Sequence, residues 1–241
     1  MLEIFLVALV VAFIGSFAQA VSGFGFAVVA VPLMAFFVDT SAAVVGITAQ
    51  STLLTIGAAY RYRHDVDWTT TSRFSIAAVL GMPLGLVALA TLDSPTLALV
   101  VACAVMVFAA LTLSNVKFGS HPHYTYGAGF MGGVFLTTIG MNGPPFAFAL
   151  QGLNFAPRRM RATLQASFAI QDVLAMIGFA IIAQVSVQTG VIVLGGIPGL
   201  ILGWIVGNRL FAIIPAAHFR WIVGLTLLGS AIALAVKGIA G

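Results

Sequence analysis

Two stretches of this chain combine residues that break a helix with side chains that donate hydrogen bonds: Ser22-Gly23-Phe24-Gly25 and Gly140-Met141-Asn142-Gly143-Pro144-Pro145. Each ends one apolar run and opens a short one, 24–38 in the first case and 144–154 in the second. A helix interrupted in apolar surroundings leaves peptide N–H and C=O groups unpaired, and hydrocarbon penalises each heavily, so such a break must face protein or a wet cavity. The helices that begin near Phe24 and Pro144 turn their N–H groups and the positive ends of their dipoles toward the break, which is the arrangement that receives an anion. Gly23 and Gly25 allow close approach, and Pro144, beside Gly143, suits the first turn of a helix because it has no N–H to leave unpaired. Ser22 and Asn142 add side-chain donors. The bland alternative is that Gly and Pro merely kink the helices or let them pack closely. Two breaks placed alike favour binding.

Further donors lie inside the longer apolar runs. Thr48, Gln50 and Ser51 fall in one, with Thr48 and Ser51 three residues apart on one helical face, and Thr163, Gln165 and Ser167 fall in another. Uncharged donors suit an anion that must also be released. The competing roles are hydrogen bonds between helices for the Gln pair, and bonds back to their own helix for the hydroxyls. Asp172 is the one acidic residue well inside an apolar run, with Gln165 and Gln171 nearby. An ionised carboxylate at that depth is costly, so Asp172 must be neutral, paired or hydrated, and such acids mark proton or ion coupling. A position nearer the interface, paired with an Arg, is the alternative.

The elements that carry these residues follow from composition. Of 241 residues, 61% are hydrophobic and 7% charged, too apolar for a soluble domain. Apolar runs near 2–21, 24–38, 41–60, 73–92, 95–114, 125–140, 144–154, 160–184, 188–212 and 218–238 predict an all-α polytopic membrane protein. Six runs are long enough to span (41–60, 73–92, 95–114, 160–184, 188–212 and 218–238), and the others form two broken or re-entrant pairs, giving eight to ten segments. The net charge of +4 comes from Lys and Arg in short loops, which sets orientation and argues against nucleic-acid binding. Arg61, Arg63 and Arg73, then Lys117, then Arg158, Arg159 and Arg161, and finally Arg209 and Arg220 mark four cytoplasmic connections, so both termini are expected outside the plasma (inner) membrane. A shift of 115 positions superposes Gly25 on Gly140, Thr48 on Thr163, Gln50 on Gln165, Gly81 on Gly196 and Pro83 on Pro198. With the charge pattern, this predicts two inverted repeats, 1–114 and 125–241, joined by a cytoplasmic connector at 115–124. Secondary transporters use that plan and hold their solute where broken helices of the two halves meet.

Other chemistries find little support. Cys103 is alone in an apolar run and forms no disulfide or metal motif. The run Tyr60-Arg61-Tyr62-Arg63-His64-Asp65-Val66-Asp67-Trp68 reads as an interfacial anchor rather than a metal site, and His121, His123 and His218 lack a zinc ligand set. No phosphate loop and no nucleophile elbow occurs, so neither an enzyme nor a bound cofactor is expected.

Gln19-Ala20-Val21-Ser22-Gly23-Phe24-Gly25-Phe26, the Pro32-Leu33 that follows, and the Gly140–Pro145 break resemble the TauE/SafE family of sulfite and organosulfonate exporters over essentially the whole chain. The resemblance implies an inner-membrane permease that moves sulfite or a related small anion outward, with Ser22, Gly23, Phe24, Gly25, Asn142, Gly143 and Pro144 at the matching positions. The expected protein is thus a secondary transporter of a small anion working by alternating access, with lipid around it and protons as a candidate coupling ion. An anion channel, or an intramembrane enzyme or assembly factor built on Asp172, are the rival readings.

Overall fold

The computed structural model describes residues 1–23, 25–113, 123–153 and 155–210, together with 232, 235 and 236. Among the described residues the regular elements are all helical: α1 (Leu2–Ser22), α2 (Phe26–Ala35), α3 (Thr40–Tyr62), α4 (Trp68–Thr91), α5 (Ser94–Leu113), α6 (Tyr124–Ile139), α7 (Gly143–Gly152), α8 (Pro157–Ile181) and α9 (Val187–Leu210), with a 3-10 turn at Arg63–Asp65. Six of them, α1, α3, α4, α5, α8 and α9, are long and apolar enough to cross a bilayer. The chain is a multi-pass helical membrane protein. Five of these spans match expected ones, whereas the run at 218–238 lies almost wholly outside the described residues. Its place among the six is taken by α1, whose 21 residues reach about 31 Å on their own. By contrast α2 and α7, with 10 residues each, reach about 15 Å, half the hydrocarbon thickness.

Local chemistry sets the ends. Asp39 caps α3, its carboxylate accepting from the N–H groups of Ser41 at 3.0 Å and Ala42 at 3.4 Å. Asp67 caps α4 by accepting from Thr70 N–H at 2.8 Å, and so starts that helix at Trp68, five residues ahead of the expected 73. The stretch expected as an interfacial anchor is therefore mostly helical: α3 continues to Tyr62 and the 3-10 turn follows. Pro157 opens α8 at a position where its missing N–H costs nothing. At the other termini, α1 and α6 end on Gly23 (φ 88) and Gly140 (φ 73), in the left-handed region where a side chain would be strained.

Glycine governs how the helices meet. On α9, Gly195, Gly199, Gly203 and Gly207 lie against Phe5, Leu9, Phe13 and Phe17 of α1 in that order. The numbers rise together, so the two helices run parallel, and the four-residue spacing lets the backbones approach as only small residues permit. Gly129 and Gly133 of α6 meet Phe74 and Ala78 of α4 in the same way, again in parallel, while Gly81 and Gly85 of α4 accept the backbone of α6. Between these two pairs, α3 packs antiparallel to α8, since Tyr62 near the end of α3 lies by Arg161 near the start of α8 whereas Ser51 reaches Asp172. Val44, Val45 and Ile47 of α3 and Val28, Val29 and Val31 of α2 fill the core.

Charge segregates along the bundle. Arg158 pairs with Asp65 at 2.7 Å, Arg159 pairs with Asp67, and Arg161 donates to Asn208 near the end of α9. With Arg61 and Arg63 at the end of α3, Arg73 near the start of α4 and Arg209 closing α9, the described Arg residues gather at one end of the bundle. Glu3, Asp39 and Asp93 sit at the other.

Two predictions follow from this packing. A Cβ at Gly133 would strike the carbonyl oxygen of Ala78, and one at Gly199 that of Leu9, whereas Gly57 and Gly190 have nothing within 4 Å. Gly133→Leu or Gly199→Leu should destabilise by about 3 kcal/mol or more, while Gly57→Ala and Gly190→Ala should leave the melting temperature in detergent unchanged or slightly raised. At the basic end, burial tends to raise the Asp67 carboxyl, but the Thr70 N–H and the Arg159 guanidinium outweigh it and hold the group below its usual value. A carboxyl depressed by folding contributes stability at neutral pH that is lost as pH falls below about 4. Wild type should therefore lose more stability on acidification than Asp67→Asn, as read by melting across an acid pH series.

Candidate functional site

At the first break the loose peptide groups are closed by amides. Gly23 N–H donates to the Gln19 carbonyl at 2.8 Å and completes the C-cap of α1. The Gly23 carbonyl accepts from Gln165 Nε2 at 2.9 Å, the Gln165 Oε1 accepts from Gln19 Nε2 at 3.3 Å, and the Gln19 Oε1 accepts from Phe26 N–H at 2.9 Å. Gln19 of α1 and Gln165 of α8 thereby tie the end of α1, the start of α2 and the middle of α8 into one ring of bonds, all buried. Ser22 donates to the Ala18 carbonyl at 2.8 Å, back along its own helix. Gly25 is the N-cap of α2, in a conformation open to any residue (φ −90), and a Cβ there would meet Ser22 Oγ at 2.9 Å. Phe24 lies outside the described residues. Arg161 passes the break: a Cβ on Gly23 would lie 3.8 Å from its Cγ, and its guanidinium sits 5.2 Å from the ring centres of Tyr62 and Trp204 while donating to Asn208 Oδ1 at 2.8 Å.

The second break is built differently. Gly140 N–H donates to Leu136 and Met141 N–H to Phe135, which closes the end of α6. A Cβ at Gly140 would lie 3.1 Å from Val31 and 3.5 Å from Thr48 Oγ1, so the break rests on α2 and α3. Asn142 is buried, and its Nδ2 donates to Gln171 Oε1 on α8 at 3.1 Å. Gly143 and Pro144 form the first turn of α7. Because Pro144 and Pro145 carry no N–H, that turn offers few peptide donors and leaves recognition largely to side chains. One such donor stands ready: Gln171 is fully buried and its Nε2 has no hydrogen-bond partner among the described residues. Phe146 of α7, stacked 4.2 Å from Phe74 and 5.8 Å from Phe168, fixes the short helix against α4 and α8.

The remaining candidates divide. Ser51 donates to Asp172 Oδ2 at 2.7 Å, and Thr55, four residues on, reaches the same oxygen at 3.2 Å. Asp172 is 1% exposed, so its partners are hydroxyls of α3 rather than an Arg at an interface. Thr48 bonds back to Val44 at 2.8 Å. Gln50 faces α9, donating to the Ile192 carbonyl at 2.7 Å, while its Oε1 is buried without a partner among the described residues. Thr163 accepts from Asp67 N–H at 3.0 Å near the basic end, and Ser167 bonds back to the Thr163 carbonyl at 2.8 Å. Gln50 and Gln165, matched in the 115-residue shift, thus serve different contacts.

The two breaks do not face each other at one depth. Gly23 meets α8 at Gln165, eight residues in from Pro157, and Gly140 meets α3 at Thr48, eight residues in from Thr40; each lies about 12 Å from an opposite end of the antiparallel α3–α8 pair. What joins them is α8, which bonds to the first break through Gln165 and to the second through Gln171. Gln19, Thr55, Gln171, Arg161 and Asn208 were not among the expected site residues. A signal for part of this set exists: Arg161, Gln165, Phe168 and Asp172 fall at i, i+4, i+7 and i+11, a single face of α8.

Spanning helices that flank two half-length helices, each entered through a left-handed glycine, with buried uncharged donors beside them, form the architecture of a membrane transporter. The sequence model of the sulfite exporter TauE/SafE family matches residues 7–234, nearly the whole chain, and the chain belongs to that family. No curated protein and no solved structure matches it.

The amide ring yields a prediction. Gln165→Leu keeps the bulk but removes the Gln165 bonds of the buried Gly23 carbonyl and Gln19 Nε2, so it should cost about 1–3 kcal/mol in thermal unfolding. Ser22→Ala, whose hydroxyl bonds back to its own helix, should cost less than Gln165→Leu.

Proposed function

We propose that the protein is a secondary transporter that exports a small anion, such as sulfite or an organosulfonate, across the inner membrane by alternating access. The observation that carries this reading is the second break: a buried amide donor on Gln171, held in place by Asn142, stands unpartnered at the mouth of α7. A buried donor without a partner is costly in a resting protein and useful in one that takes up and releases an acceptor. The bound solute lies between Asn142, Gly143 and Gln171, and Ser22, Gly23, Gly25, Gln165 and Arg161 form its entry from the basic end. Thr48, Gln50 and Thr163 line or brace the helices that move around it, and Asp172, on α8 beside Gln171, is the coupling residue for protons.

The halves 1–114 and 125–241 act as inverted repeats about the α3–α8 pair. Matched contacts support this: α1 lies along α9 as α6 lies along α4, in parallel in both cases, and the positive-φ glycines stand 117 positions apart. The positive-inside rule assigns the arginine-bearing end to the cytoplasm, which puts the start of α1, and with it both termini, outside.

Purified protein in liposomes should give saturable efflux of sulfite or a short alkanesulfonate without single-channel currents. Asn142→Leu and Gly25→Leu should each reduce that flux at least tenfold. Unchanged flux in both variants would remove this assignment of the site, and unitary currents would replace the carrier with a channel.

A further inference from the structure

We infer that the solute anion and a proton on Asp172 are bound together, so that the protein moves them in the same direction as one load. This deepens the reading above and rests on it.

The donors gathered at the second break are uncharged. Gln171 presents its Nε2 while its Oε1 is occupied by Asn142, and no cation of α7 stands beside them, since Gly143–Gly152 contains no ionisable side chain. The next residue along α8 is Asp172. Neighbouring residues on a helix put an anion held by Gln171 within about 10 Å of that carboxyl, and at the effective dielectric of a protein interior two like charges so placed repel by more than about tenfold in affinity.

Among the described residues nothing nearby offsets that repulsion. Toward Asp172, α3 presents the hydroxyls of Ser51 and Thr55. The ionisable groups on the packed elements lie at their ends: Tyr60, Arg61 and Tyr62 close α3, Arg63, His64 and Asp65 form the 3-10 turn, Arg73 is in the second turn of α4, and Tyr124 and Tyr126 open α6. On α8 itself Arg161 is eleven residues back, about 16 Å along the axis, with Arg158 and Arg159 beyond it. Among the described residues no cation lies within ion-pair distance of Asp172, and the described pairs use Asp65 and Asp67. An anion and an ionised Asp172 therefore exclude each other, whereas an anion and a protonated Asp172 do not. A proton taken up by the carboxylate accompanies the solute and leaves with it, so a monoanion crosses with no net movement of charge. Export of an acidic solute then also removes the proton that the solute brought.

The test uses the full-length protein and methanesulfonate, whose charge stays fixed over the whole range, so that any pH effect belongs to the protein. Wild-type Kd should rise by up to about tenfold per pH unit as the carboxyl ionises, and Asp172→Asn should hold the low-pH affinity at every pH. In liposomes, protons should move with methanesulfonate, and a potassium–valinomycin clamp of the membrane potential should leave the flux unchanged. A wild-type Kd that is flat or falls with rising pH, or protons moving against the anion, would overturn the inference while leaving anion transport intact. Should the Asn variant misfold, the wild-type pH series decides alone. Absence of both methanesulfonate and sulfite binding at every pH would instead overturn the anion reading itself, and the coupling with it.

Discussion

Inside a bilayer no water is available to a stray peptide group, and this constraint shapes the protein around its two helix breaks. At Gly23 the chain meets it by spending two glutamines. Gln19 and Gln165 each give one end of their amide to a broken backbone and join through the other ends, so the interruption becomes a cross-link between α1, α2 and α8. At Gly140 the cap closes on its own helix, and Asn142 reaches instead to Gln171. The first break is thus sealed by side chains, and the second keeps a buried donor in reserve. Two similar interruptions have different chemistry because different residues answer the same demand.

The helices that hold the breaks use another economy. Lipid supplies little hydrophobic drive for helix association, so close contact must provide it. Glycine at every fourth position of α9 lets α1 lie against it over several turns, and the glycines of α4 and α6 do the same for that pair. Each long helix that leads into a break, α1 or α6, is therefore bound along its length to a spanning helix, α9 or α4. In the proposed mechanism the breaks move relative to α3 and α8 with these pairs as units, the kind of rigid element that alternating access requires.

Much of this was legible in the sequence, and what was not has physical reasons. Hydropathy located five of the spans because their apolar runs are long, and the two breaks because Gly, Pro and Asn cannot sit unnoticed in such runs. The start of α4 was missed since Asp67 reads as a solvated charge unless its role as an N-cap is recognised. Matching residue types put Gly25 opposite Gly140, but it is Gly23 that shares the left-handed conformation, and identity at a single Gly cannot distinguish the two. Arg161 was counted among the loop charges; only its place one turn before Gln165 on a common face of α8 connects it to the break. Which way Gln50 and Gln165 turn depends on neighbours far along the chain, Ile192 in one case and Gly23 in the other, and no local pattern encodes that.

Matched residue types give a shift of 115, but the breaks follow an interval of 117, Gly23 meeting Gln165 as Gly140 meets Thr48; at that interval Thr55 is the counterpart of Asp172, and these two side chains touch at 3.2 Å. Under the proposed repeat relation, a contact between a residue and its own counterpart lies on the axis that exchanges the halves. A group there is equally placed with respect to both breaks and stays central whichever side is open. Had both halves kept the carboxylate, two like charges would meet at the centre, as they do in sites that trap a shared proton. With a hydroxyl in one half and a carboxyl in the other, the axis holds one titratable oxygen pair and a partner that can donate to it. If the proposed coupling holds, such a centre carries a single proton per cycle, and the departure from exact repetition at this position sets that number at one.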